Sequence, residues 1–156
     1  MFPFIKPIFK ETKVCSEELY EYVLRFDGGS RRNPGPSGCG AVIYHNNIEI
    51  WAKFLYLGPN QTNNYAEYSG LILGLEQALK MGITNILVEG DSLLVINQLT
   101  SKYKCKSDNL IPLNVNAIDL AKQFKGIEFR HILRHKNKRA DELSNEAMDY
   151  GIFEML

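Results

Sequence analysis

Four acids stand where carboxylates can act together. Asp27 closes an apolar strand-like run from about Glu21, and Gly28-Gly29-Ser30 and Asn33-Pro34-Gly35-Pro36 follow at once. This acid is expected at the mouth of a strand with open backbone beside it. Asp91 follows the buried-looking run Ile86-Leu87-Val88 and Gly90, Glu67 falls in the first turns of a long helical pattern, and Asp141 opens the last helical pattern. Each has a plain structural account. Asp27 with Gly28 fits a turn closing a strand, Asn64 with Glu67 three residues later fits a capping box, Asp91 fits a helix cap, and Asp141 suits a helix dipole. Singly, these accounts are the stronger ones for Glu67, Asp91 and Asp141, and for Asp27 the two readings are level. Together the acids suggest more, because converging carboxylates repel one another unless divalent cations neutralise them. An all-oxygen set suits magnesium or manganese rather than zinc. Two such ions roughly 4 Å apart serve in-line displacement at phosphorus.

The elements that must position these acids can be read in order. Glu21 to Asp27, Cys39 to Tyr44 and Ile48 to Leu55 have strand character, and Asn46-Asn47 can reverse the chain tightly between the last two. Three strands joined this way form an antiparallel meander. Leu57-Gly58-Pro59-Asn60 reads as a turn. A helix follows with Tyr68, Leu71, Ile72, Leu75 and Leu79 on one face and Gly82 as its stop. Ile86 to Val88 is a strand buried on both faces. Asp91-Ser92 can cap a short helix through Leu99, and Pro112 opens another, with Leu113, Ala117, Leu120, Ala121 and Phe124 inward and Gly126 ending it. A last strand, Ile127 to Leu133, leads through a basic loop to a helix carrying Ala140, Leu143, Ala147 and Tyr150 on one side. The expected fold is α/β, a mixed five-stranded sheet with three antiparallel strands, then two parallel ones, flanked by helices. Asp27 and Asp91 would end neighbouring strands.

Composition narrows the partners. With 156 residues, 18 basic and 18 acidic, the chain is most simply one domain with no overall field drawing it to a polyanion. Any polyanion would meet local patches: Arg31-Arg32, Lys102-Lys104-Lys106 and Arg134-Lys136-Lys138-Arg139. Cys15, Cys39 and Cys105 are odd in number and lack zinc spacing, so they are expected as free thiols in a reducing intracellular compartment. Residues 1–18 read as an extension without assigned chemistry, 19–151 as the domain and 152–156 as a tail. The start does not read as a signal peptide, and no stretch has the length of a membrane span.

The same residues resemble ribonuclease H of type 1, the family that cuts the RNA strand of RNA/DNA hybrids. Phe26-Asp27-Gly28-Gly29-Ser30 with Asn33-Pro34-Gly35, Thr62-Asn63-Asn64 with Ala66-Glu67, Glu89-Gly90-Asp91-Ser92, and Asn137 to Ser144 resemble its four blocks, in order, over about residues 20 to 150. The resemblance implies a two-metal endonuclease leaving a 5′-phosphate and a 3′-hydroxyl, with Asp27, Glu67, Asp91 and Asp141 as catalytic ligands of two Mg2+ ions, or Mn2+. It implies a helper histidine at His131, ten residues before Asp141, with His135 as competitor. It also implies hybrid contacts at Gly28, Gly29, Ser30, Asn33, Thr62, Asn63, Asn64 and Ser92, Thr62 at a phosphate of the DNA strand. For Asn33 and Asn64, a turn residue and a helix cap are equal alternatives. Rival functions are an exonuclease or resolvase on a related fold, and a hybrid-binding module without catalysis. The short stretch between Asp91 and Asp141 lacks the long basic protrusion of some members, which leaves Lys102, Lys104 and Lys106 to compensate. A monomer is the default expectation.

Overall fold

The computed structural model describes residues 20–154 together with Phe9. Strand β1 (Tyr22–Ser30), β2 (Gly35–His45) and β3 (Ile48–Gln61) form the antiparallel meander. Asn46 and Asn47 both take left-handed φ, 48° and 66°, at the reversal between β2 and β3. Helix α1 (Asn63–Lys80) then carries the chain across the sheet to β4 (Asn85–Gly90), parallel to β1. Helices α2 (Leu93–Leu99) and α3 (Ile111–Ala121) lead to β5 (Gly126–His131), parallel to β4, and a 3-10 turn at Arg134–Lys136 precedes α4 (Lys138–Glu154). The strand order is β3-β2-β1-β4-β5, the mixed sheet expected. No helix of the described residues is long and apolar enough to cross a membrane.

Alternation along the central strands divides the molecule into two faces. Leu24, Phe26, Ala41, Ile43, Ile86 and Val88 join Tyr68, Leu71 and Leu75 of α1 and Phe129 of β5 in the main core. Fully burying a side chain such as Phe26 contributes on the order of 2 kcal/mol. On the other face Val42 packs against Ala140 and Leu143 of α4. Both helices come very close to the sheet. A Cβ at Gly70 of α1 would lie 2.6 Å from the Asp27 carbonyl, and one at Gly40 of β2 would strike the Leu143 side chain. At the far end of α1, Gly82 takes φ +75° and its amide and that of Ile83 return to Leu79 and Ala78, closing the helix as its glycine implied.

Several elements differ in extent from the sequence reading. β1 continues three residues beyond Asp27, because Gly28, Gly29 and Ser30 still pair with β2. Leu57 to Asn60 is part of β3 rather than a turn. β3 is an edge strand, so Pro59 forfeits no ladder bond on its open side, and Gly58 at φ +102° absorbs the register shifts opposite Ser37. Helix α3 stops at Ala121, and Gly126 opens β5 instead of ending the helix. β5 ends at His131, two residues short of Leu133, which is exposed. Tyr150 of α4 is exposed too, and Gly151, under the ring of Tyr56, takes the inward place. α4 runs on to Glu154. Of the 1–18 extension only Phe9 is described: its ring meets Phe129 edge-on at 5.2 Å. The rest of that reading lies outside the described residues.

Candidate active site

The parallel ladder between β1 and β4 ends at the pair Phe26 and Gly90. Asp27, still paired with β2, and Asp91, just past the end of β4, come next, so they stand at the same level. Asp27 faces the α4 side, opposite Phe26, while Gly28 faces α1. A Cβ at Gly28 would collide with the backbone of Ala66 and Glu67. The missing side chain therefore lets α1 press onto β1 and brings Glu67 to the strand ends from the other face. Carboxylate oxygens of Asp27, Glu67 and Asp91 lie within 4.8 Å of one another. Asp141 stands outside this trio but lines the same cavity, of about 520 Å³. α4 is anchored there by Asn137, whose Nδ2 donates to the Phe26 carbonyl at 2.9 Å and whose own carbonyl accepts from the Asp141 amide at 3.1 Å.

The cluster is electrostatically strained as it stands. Burial, and then the charge of Asp91, push the Asp27 carboxyl up from 3.8 to about 7. Burial pushes Glu67 well above the usual carboxylate range, with Asp27 and Asp91 adding to it. Asp91 is raised as well, chiefly by burial, and Asp141 raises all three. Glu67 Oε2 is buried and has no hydrogen-bond partner. A buried acceptor without a donor, among acids that repel, is the environment a hard divalent cation satisfies, and the donors are all oxygen. The residues present fit such an ion.

The other expected residues divide into groups. Gly28, Gly29, Ser30 and Asn63 line the acidic cavity. Asn63 ties the glycine loop to α1: its Oδ1 accepts from the Ser30 amide at 2.7 Å and its amide donates to Asn33 Oδ1 at 3.0 Å. Asn33, Thr62 and Asn64 line a separate cavity of about 450 Å³ with Gln98, Lys104 and Lys106. Thr62 is the N-cap of α1, accepting from the Tyr65 amide at 3.1 Å. Asn64 therefore lies inside the helix, and the capping-box account of Glu67 falls. Ser92 caps α2 through the Val95 amide at 3.3 Å and lines neither cavity. His131 ends β5 with Nε2 3.2 Å from the Asp91 carbonyl, also outside both cavity walls, and His135 is exposed in the 3-10 turn.

Sequence reasoning gave no role to several wall residues. Ser144 Oγ is 3.2 Å from Asp27 Oδ2, and Arg134 Nη2 is 3.7 Å from Asp141 Oδ1. Ser144 follows Asp141 by three residues, a same-face helical spacing that could have flagged it. Arg134 was visible only as one member of a basic run.

A family model described as "Reverse transcriptase-like" matches residues 25–147. The solved N-terminal RNase H domain of a bifunctional protein of Mycobacterium tuberculosis superposes with a TM-score of 0.83 at 41% identity, over 86% of this chain and 98% of that domain. The chain belongs to the ribonuclease H family. As a ribonuclease H chain it also matches the ribonuclease H of Hydrogenovibrio crunogenus at 33% identity, over 84% of this chain and 97% of that one. The structure of LC11-RNase H1 in complex with an RNA/DNA hybrid is similar at TM-score 0.79 and 35% identity, covering 84% and 99% of the two chains. Against the full mycobacterial protein the match is 44% identical over 81% of this chain, but it spans only about a third of that protein, 35%.

Proposed function

We propose that this ribonuclease H domain is an endonuclease that hydrolyses the RNA strand of RNA/DNA hybrids, leaving 5′-phosphate and 3′-hydroxyl ends. The observation that carries the reading is the convergence of Asp27, Glu67 and Asp91 around an unpartnered Glu67 oxygen. Mg2+ is the proposed ion, with Mn2+ able to replace it. The trio would hold one ion, and Asp141 with Asp27 a second. Bound there, the ions would supply charge stabilisation at the reacting phosphate and a more acidic attacking water. The chain's own groups do the rest. Ser144 and Asn137 hold Asp27 and α4 in place, and the open backbone at Gly28, Gly29 and Ser30 with Asn63 approaches the minor groove, where 2′-hydroxyls mark RNA. Asn33 and Asn64 line that groove as well, and Thr62, with Lys104 and Lys106 on the same cavity, takes a phosphate of the DNA strand. Ser92 borders the groove from the α2 cap. His131, bonded to the Asp91 carbonyl, assists turnover and is secondary to the acids. A monomer suffices for all these contacts. The free thiols Cys39, buried, and Cys105, half-buried, suit a reducing intracellular setting.

The test follows end-labelled RNA/DNA hybrid, RNA duplex, DNA duplex and single-stranded RNA with Mg2+, with Mn2+ and with chelator, beside Asp27→Asn. Metal-dependent internal cuts confined to the RNA of the hybrid, absent in the variant, are expected. Cutting from the ends, or tight hybrid binding with no cleavage under either metal, would overturn the reading.

A further inference from the structure

Arg31 lines the acidic cavity, yet it belongs to neither the acids nor the polar groove residues. Its backbone is held firmly: the Arg31 amide donates to the Pro36 carbonyl at 2.9 Å, and the preceding Ser30 amide is fixed on Asn63. Its side chain reaches across the cavity rim to α4. There Nη2 donates to Asp149 Oδ1 at 2.7 Å and approaches the Asn145 carbonyl at 3.4 Å. Both carboxylate and arginine are open to solvent, at 70% and 38% side-chain exposure. Such an exposed pair is weak and exchangeable. These contacts use one terminal nitrogen of a five-donor fork, which leaves the rest for a second oxygen ligand.

The opposite partner on α4 is Arg134 with Asp141. Asp141 and Asp149 are eight residues apart, roughly 12 Å along a helix axis. The two guanidiniums are thus anchored at different points along α4. Each is parked on an α4 carboxylate.

We infer that Arg31 is a substrate-positioning residue that binds a backbone phosphate of the cleaved RNA strand, and that Asp149 is its resident competitor, holding the guanidinium ready until phosphate displaces it. The inference rests on the proposed hybrid cleavage and adds a residue that fixes the strand away from Arg134. A phosphate offers two oxygens to the fork and carries its charge into a groove where the Asp149 carboxylate gains nothing by staying.

The experiment is a double-mutant cycle with Arg31→Ala, Asp149→Asn and the pair, read as KM and kcat on the RNA/DNA hybrid and as hybrid affinity in chelator. Arg31→Ala is expected to raise KM roughly five- to tenfold with kcat little changed, and to flatten the dependence of log affinity on log salt by about 0.7–0.9. Arg31→Lys should recover part of the loss. Asp149→Asn is expected to lower KM by releasing the guanidinium, and that gain should vanish in the Arg31→Ala background. If Arg31 merely strapped the loop to α4, both single variants would harm in the same direction, which overturns the inference. A gain from Asp149→Asn that persists in full without Arg31 would overturn it too, as a general field effect. Failure of the wild type to cleave hybrid would count against the proposed function instead, and the affinity arm would still read the cycle with the same signs.

Discussion

At the scale of single residues, the acids proposed to carry the chemistry also carry the strain. Asp27 has a folded-state value of about 7 against 3.8. The folded protein therefore holds a proton that the unfolded chain has released, and stability without a cation falls as pH rises from about 4 to about 7. A divalent cation held by the trio would replace that proton. The midpoint of thermal unfolding should accordingly rise more on adding Mg2+ at pH 8 than at pH 5, since a cation at one hundred times its dissociation constant contributes about 2.7 kcal/mol of stability. Asp27→Asn should abolish cleavage by more than ~100-fold, the loss that even outer partners of metal sites can produce. The same variant should be more thermostable than the wild type in chelator at pH 8, since it removes one buried like charge. Equal stability of the two in chelator would show that the cluster is not under the repulsion described. His131→Ala, measured in the same cleavage assay, should slow turnover by less than tenfold, because its bond is to the Asp91 backbone rather than to a reacting group.

At the scale of elements, the site depends on how closely α1 meets β1 and on the register of the parallel strands. Gly28→Ala would set a methyl group against the Ala66 backbone, so overpacking of about 1–3 kcal/mol is expected by chemical denaturation, together with weaker cation binding by calorimetry as Glu67 withdraws. Unchanged cation affinity would mean that α1 is not set by this contact. Two rungs below the acids, Arg25, Glu89 and Arg130 stand on directly paired positions of β1, β4 and β5. Glu89, nearly fully buried, bonds Arg25 Nε at 3.2 Å and Arg130 Nη2 at 2.7 Å. Removing the carboxylate would leave two guanidiniums facing each other. Glu89→Ala should cost about 3–5 kcal/mol in a denaturant titration, whereas a loss under 1 kcal/mol would show the rung to be dispensable.

At the scale of the whole molecule, a chain with equal numbers of acidic and basic residues would hold the proposed hybrid through local cations against its own acidic cluster. Hybrid affinity should therefore fall steeply with salt, with each phosphate contact contributing a slope near 0.7–0.9 in log–log form. A flat salt dependence in a filter-binding series would place recognition in uncharged contacts alone. The cations concerned come from distant parts of the chain. Arg31 follows β1, Lys104 and Lys106 lie between α2 and α3, and Arg134 precedes α4, yet the fold sets them around two neighbouring cavities.

The amino-acid sequence by itself determined the element order, the antiparallel meander followed by parallel strands, and the four acids, because alternation, helical period and turn residues are local properties. Asn46-Asn47 and Gly82 announced their conformations through side chains, or the lack of one, that tolerate left-handed φ. Element ends were less legible. β1 outruns Asp27 because pairing with β2 continues where pairing with β4 stops, and Gly126 opens a strand because Asn85 lies beside it in register. Tertiary structure alone decided that Asp141 stands apart from the tight trio, that Thr62 rather than Asn64 caps α1, and that Ser144, Arg134 and Arg31 share the cavity wall. Those facts depend on distances between residues far apart in the chain, which packing sets and no local pattern encodes.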